Sequence, residues 1–123
     1  MQATKQTTIA IIDDDHALLE ALRDLLETAG VSSLVYDSAD AFLDSGALHL
    51  VDCMLADVRM PGTSGLGLLD AVVRAGGPPV CMMSSFADSR AKQHALSAGA
   101  AAFLEKPLNS EDLLEFVAQA TTR

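Results

Sequence analysis

The sequence predicts a doubly wound α/β domain, a five-stranded parallel sheet with helices on both faces. Three observations carry that reading. Five short apolar runs alternate with five stretches whose apolar residues recur at helical spacing. The runs are continuously apolar rather than alternating, as strands buried on both faces are. The 123 residues suit one domain, and half of them are hydrophobic, enough to close a core.

Taken in order, Ile9 to Ile12 form the first strand. Leu18, Leu22, Leu25, Leu26 and Ala29 then share one helical face until Gly30 stops the helix. Val31 to Tyr36 read as the second strand, Ser38 as an N-cap, and Ala39 to Leu43 as a short second helix. Val51 to Ala56 form the third strand, which ends at Asp57. Leu66, Leu69, Val72 and Val73 mark the third helix, Val80 to Met83 the fourth strand, Arg90 to Ala98 the fourth helix, and Ala101 to Leu104 the fifth strand. A fifth helix places Leu113, Phe116, Val117 and Ala120 on one face. Gly and Pro fall between these elements at even intervals, as short connections require.

Composition excludes several functions. A net charge of −9 argues against a direct grip on nucleic acid, which draws on clustered Lys and Arg. No apolar stretch approaches the ~20 residues that span a bilayer, and the polar N-terminus lacks a signal peptide's apolar segment, so a cytoplasmic location is expected. Cys53 and Cys81 sit inside apolar runs and read as buried thiols rather than zinc ligands or a disulfide. His16, His49 and His94 are scattered and read as surface residues. Met60, Met82 and Met83 read as core or loop filler, and Tyr36 as a structural aromatic.

The residues at the strand ends carry the chemistry. Asp13, Asp14 and Asp15 come after the first strand, Asp57 ends the third, Ser84 comes after the fourth and Lys106 after the fifth. In a parallel sheet all fall on the carboxyl edge, where such folds bind ligands. Adjacent carboxylates repel unless a cation compensates them, and an all-oxygen donor set suits Mg²⁺. A Lys and a hydroxyl beside them suit a phosphoryl group, which a carboxylate can accept as an aspartyl phosphate. Asp57 is the expected nucleophile, because it stands alone at the end of the most apolar strand. Taken singly, Asp13 to Asp15 could cap a helix, Asp57 open a turn, Ser84 cap the fourth helix, and Lys106 be solvated. Jointly, four such accidents at one edge are a poor account.

Four motifs in this order, Ile-Ile-Asp-Asp-Asp, Asp57-Val-Arg-Met-Pro-Gly-Thr-Ser-Gly65, Met-Met-Ser84-Ser and Phe103-Leu-Glu-Lys106-Pro107, resemble the receiver domain of bacterial two-component response regulators. Arg-Met-Pro and Leu-Glu-Lys-Pro look most like the FixJ-type subfamily. The resemblance covers essentially the whole chain and implies a flavodoxin- or CheY-like sheet of strand order 2-1-3-4-5. It makes Asp57 the phosphoacceptor, with Asp14 a direct Mg²⁺ ligand, Asp13 a ligand through water and the Arg59 main-chain carbonyl a third protein ligand. Ser84 and Phe103 take the places of the switch hydroxyl and the switch aromatic, Lys106 binds the phosphoryl group, and the Lys106–Pro107 bond is expected to be cis. Ser85 stands where many receivers carry Ala or Gly, and Phe103 where Tyr is more frequent. Arg59 and Phe86 are expected to flank the site.

The function so implied is a signalling switch rather than an enzyme: a sensor histidine kinase donates the phosphoryl group, and the surface formed by the fourth helix, fifth strand and fifth helix changes to control an output. Mg²⁺-dependent self-phosphorylation and dephosphorylation accompany it. Residues 1–123 read as one receiver domain, either the N-terminal part of a transcription regulator with a helix-turn-helix domain outside this chain, dimerising when phosphorylated, or a stand-alone adaptor or phosphate sink. A haloacid-dehalogenase-like phosphatase uses a similar residue set, but with its nucleophile early and its acid pair last, the reverse of the order here.

Overall fold

The computed structural model describes residues 6–85 and 89–121. Among them, five parallel strands lie in the order 2-1-3-4-5: β1 Thr8–Ile12, β2 Ser32–Tyr36, β3 Cys53–Asp57, β4 Val80–Ser84 and β5 Ala102–Glu105. The helices are α1 His16–Thr28, α2 Ala39–Ser45, α3 Gly65–Arg74, α4 Ser89–Ser97 and α5 Ser110–Thr121. The expected fold class and strand order are both present.

Side chains of a strand alternate between its faces, and here both faces are apolar. Ala10 and Ile12 join Met54, Met82, Phe42, Leu68 and Leu69 in the layer under α2 and α3. Ile9 and Ile11 join Leu55, Met83, Leu22, Leu26 and Phe116 under α1 and α5. β3 and β4 are buried at every residue, which is why their sequences are continuously apolar. Tyr36 meets Phe42 edge to face at 5.2 Å, the structural role expected of it.

Helix starts obey local chemistry. The Asp15 carboxylate accepts the Leu18 amide hydrogen bond, Ser38 Oγ accepts that of Ala41 and Ser64 Oγ that of Gly67. Each such cap contributes about 1 kcal/mol.

Several boundaries differ from the sequence reading. β3 begins at Cys53, not Val51, because Asp52 brackets the start of β1: its carboxylate accepts the Thr8 amide and its own amide donates to the Thr8 carbonyl, both at 2.8 Å. A 3-10 turn, Ala47–His49, occupies what read as plain loop. Val73, expected on a buried face, is exposed, and so is Leu96 on α4. The apolar contact at the end of α4 comes from Ala95, Ala98 and Ala100 instead. His16, His49 and His94 are exposed as expected, and Met60, Met82 and Met83 pack in or against the core.

Cys53 and Cys81 are free, fully buried thiols. Burial pushes both pKa values up to about 12, so the reactive thiolate is scarce at neutral pH. Ellman's reagent at about pH 8 should therefore find no thiol in the folded protein and both after denaturation; prompt labelling before unfolding would contradict this packing.

Candidate functional site

The parallel register carries four strand ends to the same edge of the sheet. Ile12 is level with Ala56, Asp57 with Met83, and Ser84 with Glu105. Asp13, Asp57, Ser84 and Lys106 consequently stand side by side, although 93 residues separate Asp13 from Lys106.

Lys106 Nζ donates to Asp13 Oδ2 at 2.7 Å and to Asp57 Oδ2 at 3.1 Å. Its main chain is held too, since the Lys106 amide donates to the Ser84 carbonyl at 2.8 Å. The second oxygen of each carboxylate is steered by a nearby amide: Asp15 donates to Asp13 Oδ1 at 2.9 Å, and Arg59 to Asp57 Oδ1 at 3.3 Å. Asp13 is fully buried, and Asp57 and Ser84 nearly so. The Lys106–Pro107 peptide is cis, as expected.

The three consecutive aspartates divide the work. Asp13 turns inward to Lys106, Asp14 is exposed, and Asp15 caps α1. Capping is thus true of Asp15 alone. Ser84 ends β4 inside the protein and does not open α4, and Lys106 is mostly buried rather than solvated.

One carboxylate oxygen from each of Asp13, Asp14 and Asp57 lies within 4.8 Å of the others. Three carboxylates and one ammonium leave two negative charges, the complement of one divalent cation. With oxygen donors alone, and neither His nor Cys among them, the set fits Mg²⁺ better than zinc.

Burial raises the Asp13 carboxyl above its ordinary range, although hydrogen bonds from Lys106 and the Asp15 amide oppose the shift. Burial also disfavours the Lys106 ammonium, but its hydrogen bonds to Asp13 and Asp57 outweigh that, and its pKa lies above the usual lysine value. The lysine's side of the ion pair is therefore complete below the ordinary lysine pKa and is lost as pH rises through the higher folded value, while the raised Asp13 carboxyl gives up its own side as pH falls.

Gly65 is a requirement that sequence reasoning did not explain. A Cβ there would lie 1.8 Å from the Asp57 carbonyl oxygen, so α3 can start against the proposed acceptor only as glycine. Its place in Thr-Ser-Gly was the available signal. Arg59 is exposed beside Asp57, and Ser85 is exposed after β4. Phe86, expected to flank the site, lies outside the described residues.

Replacing Lys106 by Met should leave Asp13 and Asp57 facing each other without their cation. Urea unfolding at about pH 7.5 should then give a loss of about 2 kcal/mol. The loss should shrink as pH falls, because the Asp13 carboxyl, raised by burial, takes up a proton; an equal loss at about pH 7.5 and in mild acid would mean that only the aliphatic stem matters.

A model of the response regulator receiver domain matches residues 9–118. The transcriptional regulatory protein FixJ of Azorhizobium caulinodans is 40% identical over 110 residues, covering 89% of this chain and 52% of that protein. FixJ of Bradyrhizobium diazoefficiens is 36% identical over 118 residues, covering 95% and 58%. The crystal structure of full-length FixJ from B. japonicum superposes with a TM-score of 0.83 at 36% identity, covering 95% of this chain and 58% of that one. The chain thus spans about half the length of the curated relatives it matches. With its strand order, acid cluster and bridging lysine, the chain belongs to the response regulator receiver domain family.

Proposed function

We propose that this receiver is a cytoplasmic, phosphorylation-dependent switch, with Asp57 as the phosphoacceptor for a sensor histidine kinase. The observation that carries the reading is Lys106 bridging Asp13 and Asp57 at the carboxyl edge, with Ser84 on the adjoining strand. Asp14, Asp57 and the Arg59 main-chain carbonyl would hold Mg²⁺, with Asp13 acting through water. When bound, the ion supplies positive charge that offsets repulsion between the carboxylates and the incoming phosphoryl oxygens.

Asp57 attacks the phosphorus of a phosphohistidine. One P–O bond forms as the P–N bond breaks, and the imidazole departs with the electron pair. Lys106 releases Asp57 Oδ2 to meet a phosphoryl oxygen while remaining paired to Asp13, so it does not become an unpaired buried charge. Ser84 offers its hydroxyl to a second oxygen. Self-phosphorylation from small phosphodonors and later hydrolysis use the same groups.

The response runs through β4 and β5. Ser84 and Phe103 lie on the sheet face toward α3 and α4, with Met82 in register with Phe103. Inward movement of Ser84 frees space that Phe103 turns to fill, which biases α4 and the surface it forms with β5 and α5. Ala95 is the one buried residue of α4, so little apolar area resists the movement. In a longer regulator this surface would pair two copies and direct a C-terminal helix-turn-helix domain. Kinship with FixJ, a transcriptional regulator, supports that arrangement over a stand-alone adaptor.

Incubation with acetyl phosphate and Mg²⁺ should add one phosphoryl group to the wild type by intact mass, and none to Asp57→Asn or without metal. Adduct on the Asp57→Asn variant would remove Asp57 from the mechanism. A Ser84→Ala variant should still accept phosphate but show smaller NMR shifts along α4; shifts equal to the wild type would disconnect Ser84 from the response.

A further inference from the structure

A contact outside the acid cluster ties α2 to the loop that carries Arg59. Asp40, in the first turn of α2, accepts a hydrogen bond from the Thr63 hydroxyl at 2.6 Å and a longer one from the Thr63 amide at 3.4 Å. The residues are 23 positions apart, so the contact belongs to the tertiary fold. The loop also makes room for it. Gly62 turns at φ +76°, and a Cβ there would lie 2.8 Å from Asp40 Oδ2.

Residues 58–64 join Asp57 to α3. The base of this loop is pinned twice: the Val58 amide donates to the Met83 carbonyl at 2.9 Å, and the Gly65 amide to the Val58 carbonyl at 3.0 Å. Arg59 lies between that base and Thr63, so the Asp40 contact restrains the outer limb of the same loop. An exposed hydrogen bond such as this one contributes little to folding stability. Contacts that orient metal ligands, in contrast, change affinity by about 10- to 100-fold.

We propose that Asp40 and Thr63 are positioning residues that act through the loop to set the cation affinity of the acid cluster. The inference rests on reading Asp13, Asp14, Asp57 and the Arg59 carbonyl as the Mg²⁺ site. It adds to that site a control point on α2, at one side of the sheet edge, that touches neither the cation nor the phosphoryl group.

The test is calorimetric titration of Mg²⁺ into the wild type, Thr63→Val, Thr63→Ser, Asp40→Ala and the double variant Asp40→Ala/Thr63→Val. Thr63→Val keeps shape and charge but removes the donor hydroxyl. It should weaken binding by about tenfold, and Asp40→Ala by a similar factor. The double variant should bind no more weakly than the weaker single variant, because both remove one contact. Thr63→Ser, which retains the hydroxyl, should restore wild-type affinity. Wild-type affinity in Thr63→Val with only a lower melting temperature would overturn the proposal and leave the pair a structural brace. Losses that multiply in the double variant would overturn it too, pointing to the separate loss of the Asp40 charge. If the wild type itself took up no Mg²⁺, the site reading would fall together with this one, a result distinct from any difference among variants.

Discussion

The structure depends on one electrostatic constraint: a fully buried aspartate beside a second carboxylate, held by a single lysine. Buried like charges are costly unless compensated at close range. Lys106 meets that requirement only because β5 runs parallel to β1 and β3 and ends at the same edge, on the side of β3 away from β1. Strand order and register therefore serve the charge balance as much as the core does. The compensation is incomplete. Three carboxylates against one ammonium leave a demand for positive charge at the one edge where β1 and β3 end together.

The same arrangement sets where the molecule is rigid and where it can respond. β3 and β4, which carry Asp57 and Ser84, are buried from end to end and pack on both faces. α4 is the opposite case, a polar helix anchored by Ala95. A change of charge at the site therefore meets a stiff sheet on one side and a lightly held helix on the other. That asymmetry is the physical basis for expecting the response at α4.

The loop after β3 links chemistry to architecture. Gly65 lets α3 start against the Asp57 carbonyl, and Asp40 meets the loop from the neighbouring helix. Neither feature belongs to the acid cluster. Both constrain the segment between the proposed acceptor and α3.

The sequence by itself determined the fold class, the candidate residues and the family. Continuous apolar runs can be satisfied only by strands covered on both faces, and the parallel connections then bring every strand's carboxyl end to one edge. Asp13, Asp14, Asp57, Ser84 and Lys106 were legible for that reason. Only the tertiary structure decided how Asp13, Asp14 and Asp15 split into buried partner, exposed ligand candidate and helix cap, because local periodicity says nothing about which of three identical side chains turns inward. It also decided that β3 starts at Cys53, that Val73 and Leu96 face water, and that Asp40 reaches Thr63. These outcomes depend on contacts between segments distant in the chain, whose energies exceed the local preferences that a sequence pattern records.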